Sequence, residues 1–197
     1  MLYDRPYMRE PRGNYGDNRP VFWWALWTLV GVFFLQQITA VWFGSNALGT
    51  FLQLSESGLR HFWLWTVVTY GLLHGSIMHL LFNLLAAFLI GRGLVQLYGH
   101  KCALQTLIVG TLTGGIVTGI LYLVFSATNM ATVGVSGGVT ALIVLFCTMN
   151  PGQQIHLFIL IFPIRLRTET VLLIVLVPSA LFFLLEELPI LAGKAVG

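Results

Sequence analysis

The chain has 197 residues, of which 57% are hydrophobic and only 9% charged, and its mean hydropathy is +0.85. Soluble domains carry about 25% charged residues, so this composition excludes a water-soluble globular surface and indicates a lipid environment. The net charge of +3 comes without a basic face of interleaved aromatic residues, which argues against a nucleic-acid partner. With only two cysteines, Cys102 and Cys147, no disulfide framework is expected.

The first twenty residues are polar and contain three prolines and two glycines. A secretory signal has a short basic region that leads directly into a short apolar core, and this pattern is missing here. We therefore expect residues 1–20 to form a flexible cytoplasmic tail.

Five strongly apolar segments follow, at about residues 21–43, 76–98, 103–125, 133–149 and 168–185. Each is near the length of about 20 residues that crosses the hydrocarbon core as a helix. Continuous rather than alternating apolarity favours helices over a transmembrane barrel. The sequence thus predicts an all-α, polytopic transmembrane bundle over residues 21–197. The semi-apolar stretches 44–65 and 155–164 are interpreted as interfacial connections, the second on the cytoplasmic side.

Lysine and arginine are distributed unevenly between the two sets of connections. Eight basic residues fall on the side of the N-terminus: Arg5, Arg9, Arg12, Arg19, Arg92, Lys101, Arg165 and Arg167. Only Arg60 and Lys194 fall on the other side. The positive-inside rule then predicts a cytoplasmic N-terminus. The second and fourth spans both enter from the outer face, so their first residues lie at similar depth.

The fourth segment opens with Gly134-Val135-Ser136-Gly137-Gly138. Glycines on both sides of a serine allow close approach to its hydroxyl group, and the first amides of a helix suit a developing negative charge. This pattern is compatible with a nucleophile beside an oxyanion site. The alternative is a small-residue motif for helix packing.

The second segment carries His79 and Asn83, and His74 lies at its beginning, just before residue 76. His79 and Asn83 are four residues apart, so they share a helix face, and both can donate hydrogen bonds to an oxyanion. A buried polar pair that links helices is the alternative interpretation. A metal site is disfavoured because His74 and His79 are poorly aligned for one ion, and no acidic or thiolate residue lies at that depth.

The third segment contains two successive Gly-xxx-Gly pairs, which are Gly110 with Gly114 and Gly115 with Gly119. Such pairs allow the backbones of neighbouring helices to approach closely. We expect these glycines to serve packing, with dimerisation as a minor alternative.

Taken together, the motifs resemble those of the rhomboid family over residues 65–191. The run from Trp65 to Asn83 is similar to the signature of the family's second span, and Gly134 to Gly138 is similar to its nucleophile motif. Gln154 to Arg167 is similar to a cytoplasmic stretch of bacterial members. Thr66 and Gln96 depart from the residues common in the family, at positions that concern the scaffold.

The resemblance implies that Ser136 is the nucleophile and that His79, Asn83 and the amide of Ser136 stabilise the oxyanion. His74 is implied as a supporting polar residue near the outer mouth, with Gly134 and Gly137 as supporting glycines. The family uses a Ser–His dyad whose histidine lies on a sixth span. We expect that histidine beyond residue 197, because His156 is the only histidine after Ser136 and is predicted to be cytoplasmic.

The function implied is that of an intramembrane serine endopeptidase of the bacterial inner membrane, without cofactor or metal. Its partners are expected to be lipid and single-pass membrane proteins, cleaved near the outer membrane face. The alternative is a non-catalytic rhomboid-like protein that binds membrane proteins. A small transporter is disfavoured because intramembrane carboxylates and an internal repeat are missing from the sequence.

Overall fold

The computed structural model describes residues 19–42, 44, 46–125, 130–159 and 162–182, and this part of the chain is mostly helical. Most of the predicted tail, residues 1–18, lies outside the described residues, as do residue 43 and residues 183–185 of the predicted spans. The long helices are α1 (Val21–Trp42), α5 (Ile77–Val124), α6 (Ser136–Met149) and α7 (Thr168–Phe182). The short elements are α2 (Ala47–Leu52), β1 (Leu54–Ser55), α3 (Glu56–Arg60), α4 (Thr66–Thr69), a 3-10 turn (Tyr70–Leu72), β2 (Ala131–Thr132), β3 (Gln154–Ile159) and β4 (Phe162–Arg167).

Two of the described helices, α1 and α5, are long and apolar enough to cross a membrane. Helix α5 has 48 residues, but it is broken at Gly99, where φ is 86° and ψ is 165°. Only glycine adopts this backbone conformation readily. The break separates a first limb, residues 77–98, from a second limb, residues 100–124, which correspond to the predicted second and third segments.

Helix α6 packs against both limbs of α5, which run in opposite directions beside it. On the first limb, Gly93 contacts Phe146 near the end of α6. On the second limb, Gly110 contacts Ala141 and Gly114 lies near Gly137. A side chain at Gly110 would overlap Ala141, so the close approach depends on glycine. For Gly110 and Gly114, the prediction that these glycines serve helix packing is confirmed.

The core of the described residues lies between α1, the two limbs of α5, and α6. Its fully or almost fully buried members are apolar, as close packing of these helices requires. They include Phe22, Leu26, Leu29, Phe33, Leu80, Ala87, Ile90, Leu94, Leu107, Val139, Leu142 and Phe146.

Two short antiparallel strand pairs depart from the predicted all-α fold. Strands β3 and β4 form a hairpin whose register runs from Gln154↔Arg167 to Ile159↔Phe162, where the sequence predicted part of an interfacial connection. Alternation of polar and apolar residues at 154–157 and 164–167 was a strand signal within this stretch. Strands β1 and β2 pair Leu54 with Thr132, which ties the segment after α1 to the segment before α6.

Candidate active site

The turn that leads into α6 comprises Gly134, Val135 and Ser136 and is called here the serine turn. Gly134 has a φ of +116°, a conformation that other residues rarely adopt, and its amide donates to the carbonyl oxygen of Tyr70 at 2.9 Å. Gly134 and Val135 are buried, whereas Ser136 is exposed at the first position of α6. The first amides of a helix have no intrahelical acceptor, so this turn combines an accessible hydroxyl group with available donors.

Tyr70 fixes the serine turn to the second limb of α5. Besides accepting from Gly134, it donates its phenol hydroxyl to the carbonyl oxygen of Thr111 at 2.6 Å. Its ring lies so close to Gly115 that a Cβ atom there would be 2.6 Å from Cε1 of Tyr70. Only 3% of Tyr70 is exposed. No local sequence pattern predicts a role for Tyr70, because its partners lie far away along the chain.

His79 lies in the first turn of α5, and its ring contacts the serine turn. Ser76 is the N-cap of this helix, and its hydroxyl accepts from the amide of His79 at 3.1 Å. A Cβ atom built on Gly134 would be 2.7 Å from Cε1 and 2.9 Å from Nε2 of His79. The imidazole therefore packs against the residue that lies two positions before Ser136.

Asn83 follows His79 by one helical turn on the same face of α5. It is 7% exposed, and its Nδ2 atom has no hydrogen-bond partner among the described residues. A buried amide donor without an acceptor carries a desolvation cost that a bound oxygen atom would offset. Asn83 thus provides a buried donor without a partner among the described residues, one helical turn beyond His79.

His74, which the family resemblance implies to be a supporting polar residue near the outer mouth, is fully buried. Its ring makes an edge contact with His79, with ring centroids 5.2 Å apart. Neither ring nitrogen of His74 meets a hydrogen-bond partner of good geometry among the described residues. Gln36 of α1 covers the backbone of His74 by hydrogen bonding to it, a long-range contact that the sequence analysis missed.

The remaining candidate residues are separated from the chemistry or serve packing. Gly137 faces the second limb, where a Cβ atom would be 3.1 Å from the carbonyl oxygen of Gly110, so its role is close helix packing. His156 lies in β3, beyond the end of α6 that is opposite to Ser136. A helix of 14 residues is about 21 Å long, which places His156 far from the serine turn.

The arrangement offers one chemistry in particular. An accessible serine hydroxyl begins a helix, an imidazole packs against the same turn, and a buried amide follows one helical turn later. Donors placed in this way stabilise negative charge on an oxygen atom bound beside the serine. Among the residues that the structure describes, no three His, Cys, Asp or Glu side chains come close enough to hold a metal ion.

Comparison with known proteins gives one family. The family model described as Rhomboid domain matches residues 61–191, about two thirds of the chain, including His74, His79, Asn83 and Ser136. A search of curated proteins found no match. The family match and the long apolar helices identify a membrane protein. The chain belongs to the rhomboid family.

Proposed function

We propose that this protein is an intramembrane serine endopeptidase with Ser136 as its nucleophile. The observation that carries the proposal is the contact of the His79 ring with the serine turn, beside an accessible Ser136. Members of this family are usually serine intramembrane proteases, although non-catalytic members exist. The site and the family therefore support the same chemistry.

In this proposal, the Oγ atom of Ser136 attacks a peptide carbonyl carbon of the substrate. The carbonyl oxygen becomes an oxyanion, which accepts hydrogen bonds from His79, Asn83 and the backbone amide of Ser136. Removing one such donor in other serine proteases costs about 10²–10³ in rate. The buried Nδ2 atom of Asn83, which has no acceptor among the described residues, supports this role.

The proton of Ser136 requires a general base, which then returns it to the leaving amine. The family resemblance assigns this role to a histidine that we propose lies beyond residue 197. We assign His79 to stabilisation of the oxyanion rather than to the role of base, because it shares a helix face with Asn83. His156 is too distant to serve.

We further propose that the N-terminus is cytoplasmic and that cleavage occurs near the outer face of a bacterial inner membrane. This orientation is supported by the distribution of lysine and arginine, because eight of these residues fall on the side of the N-terminus and two on the other side. Single-pass membrane proteins with a locally unstable helix are the substrates that the resemblance implies.

The alternative is a non-catalytic protein that binds membrane helices. It is favoured by one observation: among the described residues, the histidines near the serine turn are His79, which packs on Gly134, and His74, which is fully buried behind His79. A serine without a base is a weak nucleophile. The two candidates differ in whether Ser136 is required for peptide-bond cleavage.

The test uses the full-length protein, which in this proposal includes the segment beyond residue 197 that carries the base, in proteoliposomes with a fluorogenic transmembrane peptide. We expect the wild-type protein to cleave the peptide and Ser136→Ala to abolish cleavage without changing the thermal unfolding temperature. Equal binding of the peptide by both forms, with cleavage by neither, would instead support the binding protein.

A further inference from the structure

A single side chain of α1 binds both backbone polar groups of His74. The Nε2 atom of Gln36 donates to the carbonyl oxygen of His74 at 3.1 Å, and the Oε1 atom of Gln36 accepts from the His74 amide at 3.3 Å. These two hydrogen bonds connect residues that are 38 positions apart in the sequence. The carboxamide of Gln36 therefore acts as a clamp on the backbone of His74.

The clamp acts on an irregular link between two regular elements. The 3-10 turn ends at Leu72 and α5 begins at Ile77, so residues 73–76 have no helical hydrogen-bond ladder of their own. Leu73 and Ser76 both have extended backbone angles. An irregular link of this kind depends on side-chain partners for its conformation. Gln36 supplies such a partner at His74.

From His74, contact continues to the serine turn. The rings of His74 and His79 meet edge to face with centroids 5.2 Å apart, at an interplanar angle of 68°. The His79 ring in turn packs against Gly134. A series of direct contacts thus runs from Gln36 through His74 and His79 to the turn that carries Ser136.

We infer that Gln36 is a positioning residue for catalysis, which holds His79 in place through the backbone and ring of His74. The inference rests on the proposed function, because it concerns the donor role of His79. Gln36 itself does not touch the serine turn through any hydrogen bond that the structure describes. Its effect is on geometry, and a displacement of about 1 Å at a catalytic group can cost about 10²-fold in rate.

The neighbouring residue provides a matched control. Gln37 is the same residue type at the next position of α1, but it is exposed and makes no side-chain hydrogen bond among the described residues. Gln36→Met keeps the length of the side chain and removes both hydrogen bonds. Gln37→Met makes the same chemical change without removing a contact to His74.

The first measurement is steady-state cleavage of the transmembrane peptide by the full-length protein. We expect Gln36→Met to lower kcat about tenfold to hundredfold with KM within about twofold of wild type. Gln37→Met should leave both constants unchanged. If Gln36→Met does not fold, Gln36→Asn, which shortens the side chain by one methylene group, should show the same fall in kcat. Normal kcat in a folded Gln36 variant would overturn the inference.

The second measurement does not depend on catalysis. Diethyl pyrocarbonate modifies accessible imidazole nitrogens, and His74 is fully buried. We expect modification of His74, mapped by mass spectrometry, to be several-fold faster in Gln36→Met than in wild type and unchanged in Gln37→Met. Unchanged modification in Gln36→Met would overturn the inference. A wild-type protein that does not cleave would instead contradict the proposed function, while His74 modification would still decide whether Gln36 holds this histidine.

Discussion

The imidazole of His79 packs directly on Gly134, so that a Cβ atom at Gly134 would be 2.9 Å from Nε2 of His79. This contact joins the first limb of α5 to the serine turn by packing, because the structure describes no hydrogen bond between the side chains of His79 and Ser136. Glycine is needed at residue 134 for two independent reasons. A side chain there would occupy the space of the imidazole, and the φ of +116° is rarely adopted by other residues.

Gly134→Ala should therefore abolish or strongly reduce cleavage. The added methyl group would displace the His79 ring and strain the backbone of the turn that presents Ser136. We expect kcat to fall by about 10²-fold or more, since a displacement of about 1 Å in an active site has this effect. The measurement is peptide cleavage by the full-length protein, with thermal unfolding recorded in parallel.

Gly75→Ala is the control for Gly134→Ala. Gly75 is also close to the site, but a Cβ atom there would meet only Val133, at an ordinary contact distance of 3.8 Å. Near-normal cleavage by Gly75→Ala is expected. Equal cleavage rates of the two variants would show that the contact between His79 and Gly134 does not contribute to catalysis.

Tyr70→Phe should destabilise the fold. The phenol donates to the carbonyl oxygen of Thr111 at 2.6 Å within the buried interior. Removing this donor leaves the buried carbonyl with one partner fewer, at a cost of about 1–3 kcal/mol in the free energy of unfolding. The measurement is an unfolding titration in detergent.

Tyr98→Phe provides a comparison for the loss of a phenol hydroxyl. Its bond to Oδ1 of Asn150 is long, 3.4 Å, and only partly buried. We expect Tyr98→Phe to lower the free energy of unfolding by less than Tyr70→Phe does. If Tyr98→Phe lowered the free energy of unfolding more than Tyr70→Phe, the claim that the buried hydroxyl of Tyr70 stabilises the fold would be contradicted.

Gly138→Ala should weaken the packing of α6 on the second limb. A Cβ atom at Gly138 would overlap the carbonyl oxygen of Leu107 and the hydroxyl of Thr111, so the helices must separate. Overpacking of this kind costs about 1–3 kcal/mol. Gly31→Ala is the control, because a Cβ atom at Gly31 meets nothing within 4 Å. In detergent, the thermal unfolding temperature should fall for Gly138→Ala and stay unchanged for Gly31→Ala.

Much of the site followed from local spacing in the sequence. The interval of four residues between His79 and Asn83 indicated a shared helix face, and glycines around Ser136 indicated close approach. The contacts of Gln36 and Tyr70 did not follow, because they join residues 38 and 41 positions apart and carry no local pattern. The burial of His74 was missed for the same reason, since it depends on how α1 packs on the link before α5. The β3–β4 hairpin was missed because overall apolarity was given more weight than local alternation.

Reporter fusions test the proposed orientation, which underlies every statement about membrane depth. Fusions at the N-terminus and near Arg165 should report the cytoplasm, whereas fusions near Gly49 and Asn129 should report the outside. The physical reason is the excess of lysine and arginine on one side. The opposite pattern would invert the depth of the serine turn and remove cleavage near the outer face.

Covalent labelling of Ser136 is the most direct test of the central claim. The full-length protein is treated with a fluorophosphonate, which phosphonylates an activated serine hydroxyl, and the adduct is mapped by mass spectrometry. We expect the adduct on Ser136, slower labelling in His79→Ala because an oxyanion donor is lost, and none on the exposed Ser57 or Ser76. The absence of an adduct on Ser136 in folded wild-type protein, or its appearance at the same rate on Ser57 and Ser76, would contradict the account.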